Sequence, residues 1–116
     1  MQSETTPTLT WEDFMKVEMR VGTIISAEVF KEVRNPAYKM TVDFGPFGIR
    51  KTSAQITTLY QPDELIGKQV VAVINFPPKQ IATMMSECLV LGGVGESKEV
   101  TLLQPERNLG NGTRIG

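Results

Sequence analysis

A chain of 116 residues, 41% hydrophobic and 22% charged, is sized for one domain with a substantial buried core. It carries one cysteine and no histidine, which excludes internal disulfides, histidine-activated nucleophiles and most zinc sites. A net charge of −1, from 12 basic and 13 acidic residues, supplies no bulk attraction to nucleic acid, and no run nears the roughly 18 apolar residues of a membrane span.

The first ten residues, MQSETTPTLT, have neither the basic end nor the apolar stretch of a secretory leader. They read as a flexible tail, with one domain over 11–116 and a cytoplasmic location. Thr10 is placed to cap a helix whose first turn holds Glu12 and Asp13, which suit the helix dipole. That helix is expected from Trp11 to about Val17, with Trp11, Phe14 and Met15 on a face packed against the body of the domain.

From Val17 to Phe30 the chain alternates, with Met19, Val21, Ile25, Ala27 and Val29 on the apolar side. Ile24 and Phe30 are exceptions on the second face, and Gly22 marks a bend or bulge. Tyr38, Met40, Val42 and Phe44 form the apolar face of a second strand. GPFG then turns into a third strand, IRKTSA, in a hairpin with the second. Ile56, Leu59 and Tyr60 at helical spacing, Pro62 at a first helical position and Gly67 as a stop predict one or two short helical turns.

KQVVAVINF is apolar on both faces and reads as a covered central strand. ECLVLGG is a further buried strand, in which Cys88 is a small hydrophobe rather than a reactive thiol. SKEVTLLQP is a short strand, and Thr113 to Ile115 a last one. Three strands, a helix, two strands and an extension describe an all-β Greek-key barrel of the OB type, with a short N-terminal helix and a C-terminal extension. An SH3-like barrel competes but lacks the helix.

Among the carboxylates there is no DxD or ExxH pair, and among the glycines no phosphate loop, so neither an enzyme nor a cofactor is expected. What remains is binding, which OB barrels carry out on the face of strands two and three and through adjoining loops. NFPPKQIATMMSE, from Asn75 to Glu87, is expected to be such a loop. Its methionines suit an adaptable apolar surface, or equally a capped barrel mouth or a dimer interface. The basic residues Lys31, Arg34, Lys39, Arg50 and Lys51 outnumber Glu32 and Asp43 locally, which suits a solvated sheet face.

DFMKVEMRVGTI, KMTVDFG, KTSAQIT, YQPDELIGKQVVAVINFPPKQIATMMSECLVLGG and LLQPERNLGNGTRI together resemble the tRNA-binding-domain family of OB-fold proteins, and within it the export-related chaperone members. The resemblance implies a homodimer that binds unfolded or precursor polypeptides before export, without nucleotide and with the export machinery as a further partner. The dimer would form through the N-terminal helix and the part after Gly92. Phe76, Ile81, Met84 and Met85, with Ile56 nearby, would give adaptable apolar contact. Ser53, Gln55, Asn75 and Ser86 would hydrogen-bond an extended backbone, and Arg50 and Lys79 would favour its acidic or carbonyl-rich side.

The alternative is tRNA binding by the same dimer, with Arg34, Lys39, Arg50, Lys51 and Lys79 on phosphates. The tRNA-binding members resemble K-M-x-G-x-x-S-x-G-M-L where this chain reads KQIATMMSECL. Lys79 and Ser86 keep their places, Ala82 stands where glycine is usual, and Glu87 and Cys88 replace Gly-Met. A carboxylate at Glu87 opposes a phosphate backbone, so the departures favour polypeptide. A partner domain with no free ligand is the third reading.

Overall fold

A computed structural model of the chain describes residues 6–116. The part of the predicted tail at residues 1–5 lies outside these, and residues 6–10 run as exposed coil. The elements are α1 (Trp11–Met15), β1 (Met19–Val29), β2 (Tyr38–Asp43), a 3-10 turn at Gly45–Phe47, β3 (Ile49–Ala54), α2 (Pro62–Leu65), β4 (Gln69–Val73), β5 (Lys79–Ile81), β6 (Met84–Ser86), β7 (Leu89–Val90), β8 (Gly92–Val94) and β9 (Val100–Leu102).

Five strands in the order β3-β2-β1-β4-β7, each antiparallel to its neighbours, curl into a nearly closed barrel, the expected OB-type all-β architecture. β1 is long because it serves two partners. Its first half pairs with β4 (Val21 opposite Val71), and its second half with β2 (Ala27 opposite Met40). The C-terminal segment covers the other edge of the first half, where Val21 N–H donates to Thr113 O and Ile115 N–H to Met19 O. The strand predicted at Thr113–Ile115 is therefore reduced to a single bridge, Arg20 to Arg114.

Within β1 the bulge lies between Ile24 and Ser26, not at Gly22. The extra residue shifts the phase of the strand, so Ile24 before it and Ala27 after it both turn to the core, and Phe30 beyond the strand's end enters a satellite core. Ile24 and Phe30, the exceptions in the sequence pattern, are buried, whereas Ile25 and Val29 are exposed. Gly22 answers a different need. A Cβ there would sit 2.6 Å from both the Phe44 ring and Val42 Cγ1, so glycine lets the ring pack on the backbone. β2 and β3 form the expected hairpin, and Tyr38, Met40, Val42 and Phe44 all point into the core.

α2 plugs the barrel through Leu65, which is fully buried. Pro62 opens this helix, Gln61 and Glu64 cap each other, and Gly67 adopts φ +91 just beyond its end. No helix forms over Ile56 to Tyr60. That segment is a turn whose conformation is held by tertiary bonds, Tyr38 Oη to Tyr60 O and Leu102 N–H to Tyr60 Oη.

α1 ends two residues short of the predicted Val17, and none of its residues is buried. Thr10 caps it as expected, accepting from Asp13 N–H at 3.0 Å. Its apolar face does not pack on the domain: Trp11 is 84% exposed. Polar bonds at its far end hold it instead. Asn75 Nδ2 donates to Lys16 O, and Arg114 Nη2 to Met15 O. Arg20 and Arg114 both approach Glu18 there, and the hydrogen bond from Arg20 draws the Glu18 carboxyl below its ordinary range. Among the described residues no helix is long and apolar enough to cross a membrane.

Candidate functional site

β3 and β7 are the two ends of the sheet, so the barrel closes, or fails to close, between them. They run parallel and are joined at one end only. Glu87 N–H donates to Lys51 O at 2.7 Å, Lys51 N–H donates to Glu87 Oε1 at 2.9 Å, and the Thr52 hydroxyl donates to Cys88 O at 2.9 Å. Ser53 N–H reaches Ser86 Oγ at 3.3 Å. Glu87 therefore has a structural task. Its carboxylate stands in for the missing backbone partner of Lys51.

Beyond Ser53 the strands part, and an apolar groove opens on the outside of the seam. The NFPPKQIATMMSE stretch builds one wall as a hairpin rather than the predicted loop, with β5 and β6 paired Lys79 to Ser86 and Ile81 to Met84. Pro77 and Pro78, both trans, keep the incoming chain out of the barrel ladder. Ala82, the first of the two turn residues, takes φ 49, a conformation glycine adopts without strain. The first lobe of the groove, about 390 Å3, is lined by Phe76, Pro77, Ile81 and Leu89, with Ser53, Ser86, Lys79 and Cys88 completing the lining. A second lobe of about 310 Å3 continues past Ser53 and Leu89 along Gln55, Ile56 and Val90.

The structure thus brings together Ser53, Gln55, Ile56, Phe76, Lys79, Ile81 and Ser86 of the residues proposed from sequence. It places three elsewhere. Asn75 lies outside both lobes, accepting from Glu18 N–H and donating to Lys16 O, which anchors α1. Met84, only 8% exposed, turns inward to a small satellite core with Phe30 and Ala37. Met85 is 40% exposed but lies outside both lobes. Pairing and alternation place Met85: Met84 lies opposite Ile81 and shares its face, where both pack on the satellite core, so Met85 points to the other side.

Leu89 and Pro77 were missed. Period-two alternation in ECLVLGG, with Cys88 inward, would have put Leu89 outside, and it is 49% exposed. Only Leu89–Val90 of that stretch pairs with β4, while Gly92–Val94 turns away to pair with β9.

The five cations of the nucleic-acid reading do not share one depression. Lys39 and Lys51 flank a shallow hollow of about 260 Å3 on β2 and β3, and Lys39 is paired there with Glu28 at 3.4 Å. Arg50 lies in another hollow, where it donates to Ile74 O at 2.8 Å and so ties β3 to the end of β4. Lys79 borders the apolar groove, and Arg34 lines none of these. No cluster of three or more acidic or cysteine side chains able to hold a metal exists among the described residues.

Cys88 is buried beneath the groove, and loss of hydration pushes its thiol up to about 11 from 9.0. The folded thiol is therefore protonated at pH 8, and a thiol reagent at that pH should label the native chain far more slowly than the chain in denaturant. Because the unfolded thiol ionises first, this group's contribution to stability is complete below pH 9.0 and is lost as pH rises to about 11.

A barrel of this topology, with its seam walled by the KQIATMMSE hairpin, matches one family along nearly its whole length. The family model described as "Putative tRNA binding domain" covers residues 19–114. The chain belongs to this tRNA-binding-domain family. Among solved structures it resembles the chaperone CsaA from Bacillus anthracis, at 52% identity and TM-score 0.91 over 95% of this chain and all of that one. It also resembles the CsaA chaperone protein from Picrophilus torridus, at 46% identity and TM-score 0.87 over 94% of this chain and all of that one. It is thus a CsaA-like member of the family. The methionine–tRNA ligase of Methanococcoides burtonii is 37% identical over 107 residues, 92% of this chain. This chain spans only 16% of that relative.

Proposed function

We propose that this tRNA-binding-domain protein binds unfolded or precursor polypeptides in the seam groove, as a homodimer, without nucleotide and without catalysis, in the service of protein export. The carrying observation is the groove itself. Its apolar wall of Phe76, Ile81 and Leu89 faces a margin of serine hydroxyls, and among the described residues its only charged lining group is Lys79. Such a surface suits an uncharged extended chain with apolar side chains. The similarity to two chaperones over nearly whole chains supports the same reading.

The exposed face of α1 supports the dimer. Leu9, Trp11 and Met15 form apolar surface that is exposed among the described residues, and Val94 and Leu103 after Gly92 are exposed as well. Sedimentation equilibrium should give a dimer for the native chain and a monomer for Trp11→Glu.

A second reading, tRNA binding, is favoured by the family match and by Lys39 and Lys51 on one sheet face. Titrating a reduced, unfolded protein and a tRNA at low and at high salt separates the two. Polypeptide binding through the apolar groove should change little with salt, whereas phosphate contacts weaken steeply. Affinity for tRNA alone, lost at high salt, would reverse the assignment. The domain extent, residues 11–116 as one unit, belongs to the same proposal.

A further inference from the structure

We infer that the second lobe of the groove takes the guest polypeptide as an added β-strand, bonded through its backbone between β3 and β7. This rests on the polypeptide reading above and specifies how the chain is held.

The inference comes from the hydrogen-bond phase of the two edge strands. In β4, Ile74 N–H bonds to Glu18 O and Ile24 N–H to Lys68 O, so Ala72 turns its backbone groups to β1, while Val71 and Val73 turn theirs to β7. Leu91 N–H accordingly bonds to Val71 O. Val90, opposite Ala72, is therefore a non-bonded partner, and both its N–H and its C=O point away from β4 into the lobe.

On β3, Phe44 N–H is bonded to Gly48 O, so Val42–Arg50, Met40–Thr52 and Tyr38–Ala54 are the bonded pairs with β2. Lys51 and Ser53 face the seam. Lys51 is satisfied by Glu87, but Ser53 C=O receives only a 3.5 Å approach from the Thr52 hydroxyl, which already serves Cys88 O at 2.9 Å. Two half-used backbone edges, at Ser53 and at Val90, thus border the same lobe of about 310 Å3.

Peptide fills this gap better than nucleic acid does. An extended peptide offers N–H and C=O groups alternately to both sides, and beside an exposed strand edge it can pair through its backbone. The lobe is walled by Ile56, Leu91, Val94 and Val100 and, among the described residues, holds no cation to neutralise a phosphate. Its continuity with the first lobe through Ser53 and Leu89 lets the guest's next side chains reach Phe76 and Ile81.

The test is amide hydrogen exchange at Val90, read with an acetylated, amidated peptide of alternating leucine and threonine, and with the same peptide N-methylated at every second residue. The unmethylated peptide should slow exchange at Val90 by about tenfold or more at saturation. Methylation should weaken binding by about tenfold, the effect of losing one or two net hydrogen bonds. Binding of both peptides with equal affinity, or binding that leaves Val90 exchange unchanged, overturns strand pairing and leaves the polypeptide groove intact. Failure of the unmethylated peptide to bind, or protection of Val90 by an oligoribonucleotide alone, overturns both.

Discussion

Replacing Phe44 with alanine should lower the free energy of unfolding by about 3–5 kcal/mol, a large part of the ~5–15 kcal/mol available to a domain of this size. Phe44 is fully buried where β2 leaves the sheet, and its ring lies on the bare backbone of Gly22. The surroundings have little freedom to collapse into the space. Val42 and Ile24 are themselves fully buried in sheet positions, and the Phe44 carbonyl lies 2.8 Å from where a Cβ on Gly112 would sit. A cavity should therefore persist. Urea unfolding at neutral pH measures the effect, and a loss under about 1 kcal/mol would show that β2 can shift to refill the site. The reciprocal change, Gly22→Ala, overpacks the same contact and should cost less, about 1–3 kcal/mol.

The second large effect concerns binding. Phe76→Ser with Leu89→Ser should weaken binding of an unfolded polypeptide at least about tenfold, because burying one large apolar side chain contributes about 1.5–3 kcal/mol and tenfold in affinity corresponds to about 1.4 kcal/mol. Both side chains are exposed in the free protomer, so thermal stability should barely move. Fluorescence titration of a labelled, reduced protein against the double variant, the native chain and Met85→Ser measures it. Met85 lies outside the groove and serves as the control. Equal affinity for the double variant and the native chain would remove the groove from the mechanism.

The barrel was legible where one strand face is core and the other is solvent, because the side-chain period of two is then written directly into the residues. β2 and β3 show this, as does β4 with both faces covered. β1 was legible as a strand but not in its facing. A single bulged residue at Ile25 shifts the phase of its alternation, and which residue bulges is decided by partners in β2 that local pattern does not contain. The β5–β6 hairpin was hidden because its strands are three residues long and follow two prolines.

The groove was half legible. Ser53, Phe76, Lys79, Ile81 and Ser86 followed from the family's loop positions and do meet in space. Asn75 and Met84 could not have been sorted from sequence alone. The duty of Asn75 is to bond residues 57 and 59 positions away, and the inward turn of Met84 depends on Phe30 and Ala37 in another part of the chain. By sequence Glu87 reads as a charge opposed to a phosphate backbone. It is the residue that stitches the seam.

That stitching makes Cys88 a native clock for the barrel. The sulfur lies directly beneath the place where Lys51, Thr52, Glu87 and Cys88 hold the two end strands together. Any excursion that unzips those few bonds hydrates the thiol and makes it reactive. The labelling rate of this single cysteine, with no engineered probe, therefore times how often the seam opens, and the same rate with guest present reports whether occupancy props the seam apart or seals it.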